Sequence, residues 1–295
     1  MSEFLIHLAT LAGIYALMSL GLSVQAGMSG LLNFGHIAFA GIGAYAAAIA
    51  AQAGWPAAAG IAAGMAGAAL LGLAMARLGR QLGADYWGIA TLALAEIVRL
   101  AATNEGWLTG GAQGISPVDS ALAGLPGVWD SAGFLLCSAA GVAAGLCLAR
   151  RIGGGRLGRA LRLMREEPQL AACLGYDLTA LKTRAMVLGA CMTACGGALL
   201  AYYTRFVGPD YLTAAETFLI WTMVVVGGLG SHAGAVLGAL LVQAIHAAVP
   251  FLRDALGAGS DVAGALRLGL VGLLLLACLL WRPQGLLPEK PGRVR

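Results

Sequence analysis

Long apolar runs separated by short polar breaks dominate the chain. Cutting the sequence at the breaks leaves apolar runs near residues 4–26, 30–53, 55–76, 86–103, 131–149, 185–203, 217–230, 234–252 and 264–281. Most of these runs reach the roughly 17–25 residues that a helix needs to cross the hydrocarbon of a bilayer. The run at 217–230 is short, which favours a half-span or a broken helix. The pattern predicts about eight or nine transmembrane helices.

Helices are the expected form of these spans, because lipid cannot satisfy exposed backbone N–H and C=O groups. The alternating ten-residue segments of a membrane barrel are not seen in the sequence. Composition agrees, since 59% of the 295 residues are hydrophobic and 11% are charged, whereas about a quarter of a soluble domain is charged. We therefore predict an all-α polytopic membrane bundle, built as a single domain over residues 1–295.

The uneven distribution of basic residues predicts the orientation, because cytoplasmic loops are enriched in Lys and Arg. The segment 150–184 is rich in arginine. The C-terminal tail adds Arg282, Lys290, Arg293 and Arg295. The loop 104–130 has no basic residue and carries the acids Glu105, Asp119 and Asp130. Nine crossings with an external N-terminus and a cytoplasmic C-terminus satisfy these assignments. The net charge of +4 then reflects orientation, and no aromatic-interleaved basic patch indicates nucleic-acid binding.

Residues 155–177 are the most informative part of the predicted cytoplasmic loop. Arg159, Arg162 and Glu166 are spaced three and four apart, so a helix would place them on one polar face. The alternative is a solvated loop whose bases only enforce topology.

A second short helix is predicted directly after the first. Pro168 fits its first turn, with Glu167 near its N-terminus, and Gly175 suits its C-terminal cap. The small residues Ala171 and Ala172 would let this helix lie closely against another protein. The order Glu-Pro-x-x-Ala-Ala-x-x-Gly therefore favours a docking function for the loop.

This loop resembles the coupling segment of ABC-transporter permeases. More specifically, it is similar to the permeases of branched-chain amino-acid importers, in which a stretch like residues 158–162 leads into Arg-Glu-Glu and then Ala-Ala-x-x-Gly. Further blocks of the same family follow in order, at residues 30–45, 85–100, 108–115, 226–231 and 282–286. The ordered set spans about residues 21–287 and resembles the LivM-like branch more than its LivH-like sister.

Two positions depart from the family pattern. Glu-Pro-Gln-Leu precedes Ala171-Ala172, so Glu-Ala-Ala is not contiguous, although the helical spacing survives. Ala112-Gln113 replaces the Pro-Asn that family members often carry, which leaves the ligand preference open.

The resemblance implies an inner-membrane permease subunit of a bacterial importer for leucine, isoleucine, valine or related apolar amino acids. Its implied partners are a LivH-like sister permease, two cytoplasmic ABC ATPases and a periplasmic solute-binding protein. The residues implied to couple to the ATPase are Arg159, Arg162, Glu166, Glu167, Ala171, Ala172 and Gly175. The chain has no Gly-x-x-x-x-Gly-Lys-Ser/Thr phosphate loop. We therefore expect ATP-Mg in the partner ATPase, and expect no enzymatic activity, cofactor or metal in this chain.

Polar residues inside the spans are candidates for the translocation pathway, because they are costly at membrane depth. Glu96 and Arg99 lie three apart in one span, either as an internal pair that faces the bundle or as a pair that meets an amino-acid zwitterion. Thr91 precedes them in the same span. Asn33 and His36 lie in a glycine-rich run that favours a broken or re-entrant helix. The alternative for His36 is a packing role.

The glycines Gly227, Gly228 and Gly230 follow the short run. They predict either a moving hinge or a tight connection to the next span.

Three alternative functions remain at this point. A related ABC permease could carry urea or short amides. An ion-coupled secondary transporter would need an acidic relay within the membrane, for which Glu96 is the candidate well inside a predicted span. A membrane enzyme would need a catalytic or metal cluster, and the sequence has no HExxH motif and no CxxC pair.

Overall fold

A computed structural model, which describes residues 2–80, 82–118, 128–255 and 260–289, is almost entirely helical. Its helices are α1 (Ser2–Leu22), α2 (Ile37–Gln52), α3 (Ala57–Leu78), α4 (Ala84–Asn104), α5 (Gly106–Thr109), α6 (Val128–Gly154), α7 (Arg156–Glu166), α8 (Pro168–Cys173), α9 (Leu178–Thr204), α10 (Ala214–Gly227), α11 (His232–Ala255) and α12 (Ser260–Trp281). A π-helical segment, Ser23–Met28, extends α1. The described ranges contain one isolated β-bridge, Ile115 with Val207, and no strand. The predicted all-α fold is confirmed.

Seven of the described helices are long and apolar enough to cross a membrane. They are α1 with its extension, α3, α4, α6, α9, α11 and α12. Two shorter apolar helices, α2 and α10, complete the set. Each of the nine predicted apolar runs thus corresponds to one described helix, seven of them long enough to span and two of them short, and the short run at 217–230 is the short helix α10.

Two helices extend well beyond their predicted apolar runs. Helix α6 continues to Gly154 rather than 149, and α9 begins at Leu178 rather than 185. Basic residues end an apolar run in the sequence, but they do not end the helix, because their long side chains keep the charge in water while the backbone continues. Both extensions lie at the end that carries α7 and α8, which we call the basic end of the bundle.

Helix α9 is the central element, packed against α1, α2 and α3. Small residues let these backbones approach closely: a Cβ added at Gly43 would lie 2.0 Å from the carbonyl oxygen of Ala194. A Cβ at Gly197 would lie 2.0 Å from the carbonyl oxygen of Ala40. Close backbone packing of this kind is how helices associate in lipid, where no hydrophobic force drives them together.

The predicted span 30–53 is broken, as its glycine content indicated. Its first residues are not helical, and α2 begins only at Ile37. Gly30 adopts φ 72°, a left-handed conformation that glycine tolerates. The side chain of Asn33 then accepts a hydrogen bond from the backbone N–H of Gly35 at 3.0 Å, which holds a turn in place of a helix.

The N-termini of α2 and α10 meet inside the bundle. The backbone N–H of Ile37 donates to Oγ1 of Thr217 at 3.2 Å, and the indole N–H of Trp221 donates to the carbonyl oxygen of Asn33 at 2.9 Å. At about 1.5 Å per residue, helices of 16 and 14 residues are shorter than the roughly 30 Å of hydrocarbon. The two helices are therefore half-spans that begin near each other.

The C-terminal segment after α12 packs against the end of α10 at the basic end of the bundle. The N–H groups of Leu286 and Leu287 donate to the carbonyl oxygens of Val226 and Gly227, at 2.9 and 3.0 Å. The segment is thereby tied to the end of α10. Among the predicted topology residues, Asp119, Lys290, Arg293 and Arg295 lie outside the described residues.

Candidate functional site

Four fully buried polar side chains form one cluster between α1, α9 and the break before α2. They are Gln25, Asn33, His36 and Thr193. Asn33 donates to Oε1 of Gln25 at 2.8 Å, and Gln25 donates in turn to the carbonyl oxygen of Met186 at 3.1 Å. Buried polar groups of this kind are normally all satisfied by one another. The cluster therefore holds the non-helical segment against the centre of the bundle.

The hydrogen bonds around His36 identify which ring nitrogen carries a proton. The bond from Gly35 fixes the amide of Asn33, and Asn33 in turn makes Oε1 of Gln25 an acceptor. Nδ1 of His36 lies 3.1 Å from that acceptor and must donate to it. Nε2 lies 2.9 Å from Oγ1 of Thr193 and 3.1 Å from the carbonyl oxygen of Met18. Oγ1 of Thr193 also lies 2.8 Å from the carbonyl oxygen of Gly189. The one hydroxyl proton therefore goes either to that carbonyl or to Nε2 of a neutral ring, whereas a charged ring donates from Nε2.

Thr91 joins the same region from α4. Its hydroxyl accepts a hydrogen bond from the backbone N–H of Phe34 at 3.0 Å and donates to the carbonyl oxygen of Gly88 at 2.8 Å. The candidates Asn33, His36 and Thr91 are thus brought together at the break. Gln25 and Thr193 were missed; a glutamine inside the run 4–26 was a usable signal, whereas a threonine in a span was not.

Glu96 and Arg99 lie apart from this cluster. They pair with each other as their spacing predicted, with Nε of Arg99 2.9 Å from Oε2 of Glu96. The two side chains are 48% and 30% exposed. An internal pair facing the bundle was one interpretation of this spacing, and the exposure of both side chains shows instead that they lie on the outer surface of this chain. A role in the pathway stays a prediction.

An apolar cleft opens between α1, α2, α9 and the segment 206–216. The small side chains of α2 leave room along one wall, and Met18 and Leu200 lie on the other helices. Glu216, in the first turn of α10, is the charged residue among the described residues that line it, and its Oε2 accepts a hydrogen bond from the hydroxyl of Tyr15 at 3.1 Å. Glu216 lies one residue before the run 217–230, so the hydropathy pattern did not mark it as a residue within a span.

The two short helices predicted in the loop are present as α7 and α8. Pro168 is the first residue of α8, and Gly175 follows its end with φ 84°. The N–H of Tyr176 donates to the carbonyl oxygen of Ala171 at 3.1 Å, which closes the capped turn. Glu166, Glu167, Ala172 and Gly175 are exposed, whereas Ala171 is buried against the bundle.

Large apolar side chains are also exposed on α8 and in the turn that follows it. Leu170, Leu174 and Tyr176 are exposed, the second of them by 63%. Leu170 and Leu174 are one helical turn apart and therefore lie on the same face. We call these three residues the α8 patch. An exposed apolar group at a polar surface is typical of a site where another protein binds.

The arginines of α7 differ in their surroundings. Arg159 is exposed, with Nη1 3.3 Å from the carbonyl oxygen of Gly154. Arg162 is half-buried and donates to the carbonyl oxygen of Gly153 at 2.6 Å. The predicted common polar face of Arg159, Arg162 and Glu166 is therefore only partly exposed, because Arg162 turns towards the C-terminal segment, where its Nε lies 3.4 Å from Oε1 of Glu289.

Arg165, which was not among the predicted coupling residues, makes the most extensive side-chain contacts of α7. Its guanidinium donates to the carbonyl oxygen of Gly27 and lies 2.9 Å from Oε2 of Glu289. It also lies 3.1 Å from Oε1 of Glu166. Arg165 thereby connects α7 to the end of the first span and to the C-terminal segment.

The candidate hinge glycines form the turn between α10 and α11. Gly228 and Gly230 have φ of 121° and 88°, which side-chain-bearing residues rarely adopt. A Cβ at Gly227 would lie 2.0 Å from the carbonyl oxygen of Gly234, and one at Gly228 would lie 2.4 Å from that of Leu287. The turn is thus a tight connection packed against backbone on two sides, and whether it moves during transport stays a prediction.

Comparison with known proteins identifies the family. Residues 4–279 match the family described as the permease component of the branched-chain amino acid transport system. The chain belongs to this family of permeases. The match confirms the resemblance that the ordered sequence blocks predicted.

Individual relatives of this permease agree with the family match. The permease protein LivM of the high-affinity branched-chain amino acid transport system of Escherichia coli K12 is 34% identical, over 96% of this chain and 70% of its own length. A probable branched-chain amino acid transport permease protein LivM of Methanocaldococcus jannaschii is 32% identical, over 72% and 62%. The LivH permease of Salmonella typhimurium is 33% identical over only 31% of this chain and 30% of its own. The permease is therefore LivM-like and is a multi-pass inner-membrane protein. No solved structure matches the chain.

Proposed function

We propose that this permease is one membrane subunit of an ATP-driven importer for leucine, isoleucine, valine or related apolar amino acids. Its partners are a LivH-like sister permease, two cytoplasmic ABC ATPases and a periplasmic solute-binding protein. The α8 patch carries this proposal. It is an apolar docking surface on a short helix outside the spans, at the end where the arginines predict the cytoplasm.

The ATPase binds the α8 patch and moves α8 when it closes on ATP. Helix α7 moves together with α8, because Glu167 is the single residue between them. Arg165 then transmits the movement to Gly27, at the end of the first span, and through Glu289 to the C-terminal segment. That segment is bonded to the end of α10. The end of the first span, which leads into the break before α2, therefore moves together with α7. The end of α10 moves with it.

The access of the pathway alternates because each nucleotide state favours a different arrangement of these helices. A nucleotide shifts this equilibrium only if the ATPase contacts α8 differently in the two states. The N-terminus then lies outside and the C-terminus in the cytoplasm, so that α8 and the C-terminal segment face the ATPase.

The test is uptake by the complete complex in proteoliposomes, with the binding protein outside and ATP inside. Accumulation of labelled leucine that requires ATP and the binding protein supports the proposal. Uptake that requires an ion gradient but no ATP identifies an ion-coupled secondary transporter instead. Uptake of labelled urea or acetamide, with no uptake of leucine, identifies the amide-transporting alternative.

A further inference from the structure

The contact between Tyr15 and Glu216 lies near the middle of the first apolar span. Tyr15 belongs to the apolar span Glu3–Met28, twelve residues from one end and thirteen from the other. At about 1.5 Å per residue, these spacings correspond to roughly 18 and 20 Å. The carboxylate of Glu216, bonded to Tyr15 at 3.1 Å, is half-buried and lies at about half the depth of this span, where a charge is costly and marks a function.

The described surroundings of Glu216 stabilise its charge only in part. It lies in the first turn of α10, where the helix dipole favours a negative side chain. The hydroxyl of Tyr15 supplies one hydrogen bond. Within the described part of the chain, Glu216 forms no salt bridge with a Lys, Arg or His side chain. A cationic group of a ligand could therefore form an ion pair with the carboxylate of Glu216.

The rest of the cleft is suited to an apolar ligand. Met18, Ile37, Leu200 and Phe206 contribute apolar walls, and Ala40 and Ala44 leave space beside them. A cleft with apolar walls and few polar groups is the usual form of a small-molecule site. An ammonium group beside a short aliphatic side chain matches this arrangement, whereas urea or a neutral amide has no charge to offer Glu216.

We propose that this cleft is a transport subsite that holds an apolar amino acid, with the ammonium group at Glu216 and the side chain against Ile37 and Leu200. This inference rests on the proposed importer function and deepens it. Tyr15 acts as a positioning residue, because its hydroxyl holds the carboxylate towards the cleft.

The decisive experiment is leucine uptake by the complete complex with Glu216→Gln, which keeps the shape and removes the charge. A charge-assisted hydrogen bond is worth about 1.5–3 kcal/mol, so kcat/KM for uptake should fall about tenfold or more. Glu216→Asp should recover part of the loss. The matched control is Glu105→Gln, which removes an exposed carboxylate outside the cleft, at the end of the bundle opposite the basic end.

A second variant tests the apolar wall without touching the charge. Ala44→Leu narrows the cleft, so the uptake ratio of valine to leucine should rise about fourfold, which corresponds to one methylene. This ratio also decides the proposal if Glu216→Gln fails to fold. An unchanged ratio, or uptake by Glu216→Gln equal to that of Glu105→Gln, would overturn the subsite while the wild-type uptake still supported the importer. A wild-type complex that transports no amino acid would instead refute the proposed function itself.

Discussion

Oε2 of Glu289 lies 2.9 Å from Nη2 of Arg165, although 124 positions separate the two residues in the chain. This ion pair connects α7, which carries both predicted coupling arginines, to the C-terminal segment that is bonded to the end of α10. The side chains are 26% and 24% exposed, so water screens the pair only in part. A contact of this kind can transmit force between elements that are distant in sequence.

Replacing Glu289 by Gln tests this link. The change removes the charge that Arg165 and Arg162 share, so coupling between ATP hydrolysis and uptake should weaken by about 1 kcal/mol, or about fivefold. The measurement is the number of leucine molecules taken up per ATP hydrolysed. Asp130→Asn is the control, since it removes the 3.0 Å ion pair with Arg205 at the opposite end. Equal ratios in the two variants would contradict a role for Glu289 in coupling.

The cap of α8 provides a second test. Gly175 has φ 84° and nothing within 4 Å of an added Cβ, so the cost of Gly175→Val is the backbone conformation alone. A left-handed conformation costs roughly 1–2 kcal/mol for a side-chain-bearing residue, and more for a β-branched one. We expect ATP hydrolysis to continue while uptake falls severalfold, with normal insertion in the membrane.

Gly83→Val is the matched control for Gly175→Val. Gly83 also has nothing within 4 Å of an added Cβ, but its φ of −66° is accessible to valine. Wild-type uptake by the Gly175 variant would show that the geometry of this cap does not matter for coupling.

The α8 patch should determine how tightly the ATPase binds. The double change Leu170→Ser and Leu174→Ser removes two exposed apolar side chains from one face of α8. Anchors at the centre of an interface are typically worth 2 kcal/mol or more, so co-purification of the ATPase should fall by at least about tenfold. Leu108→Ser, an exposed leucine outside α8, should leave binding intact. Retention of the ATPase by the double variant would argue that it docks elsewhere.

The sequence predicted the spans well because apolar runs report directly on contact with lipid. The pair α7 and α8 was also predictable, since Pro168 and Gly175 mark its boundaries with local conformations. The start of α2 at Ile37 was not, because it depends on Asn33 and Gln25 meeting across the bundle. Contacts between distant positions leave no mark in a hydropathy pattern.

The candidate site was predicted only where a residue type is unusual for a span. Asn33 and His36 stood out for that reason and lie together in the buried cluster. Glu216 did not stand out, since it borders an apolar run and its depth follows from Tyr15 in another helix. The exposure of the Glu96–Arg99 pair likewise depends on which face of α4 meets the bundle.

Cysteine labelling can establish the orientation. Cys173 is exposed on α8, beside the α8 patch. In a variant that keeps only this cysteine, a membrane-impermeant maleimide should label inside-out vesicles and leave intact cells unlabelled. Trp107→Cys in the cysteine-free background should show the reverse, since Trp107 is exposed at the opposite end. Labelling of Cys173 in intact cells would refute a cytoplasmic α8 and the coupling mechanism with it.

The buried cluster predicts a stability change at Gln25. Gln25→Leu keeps similar bulk, but it leaves the donors of Asn33 and His36 without their shared acceptor. Each unsatisfied buried donor costs about 1–3 kcal/mol, so the purified variant should unfold at a clearly lower temperature. Gln52→Leu, at the exposed end of α2, should change the unfolding temperature little. Because the cluster holds the break in place, the Gln25 variant should also lose uptake in proportion to the folded fraction. An unfolding temperature equal to that of the Gln52 variant would mean that the break is held by the backbone alone.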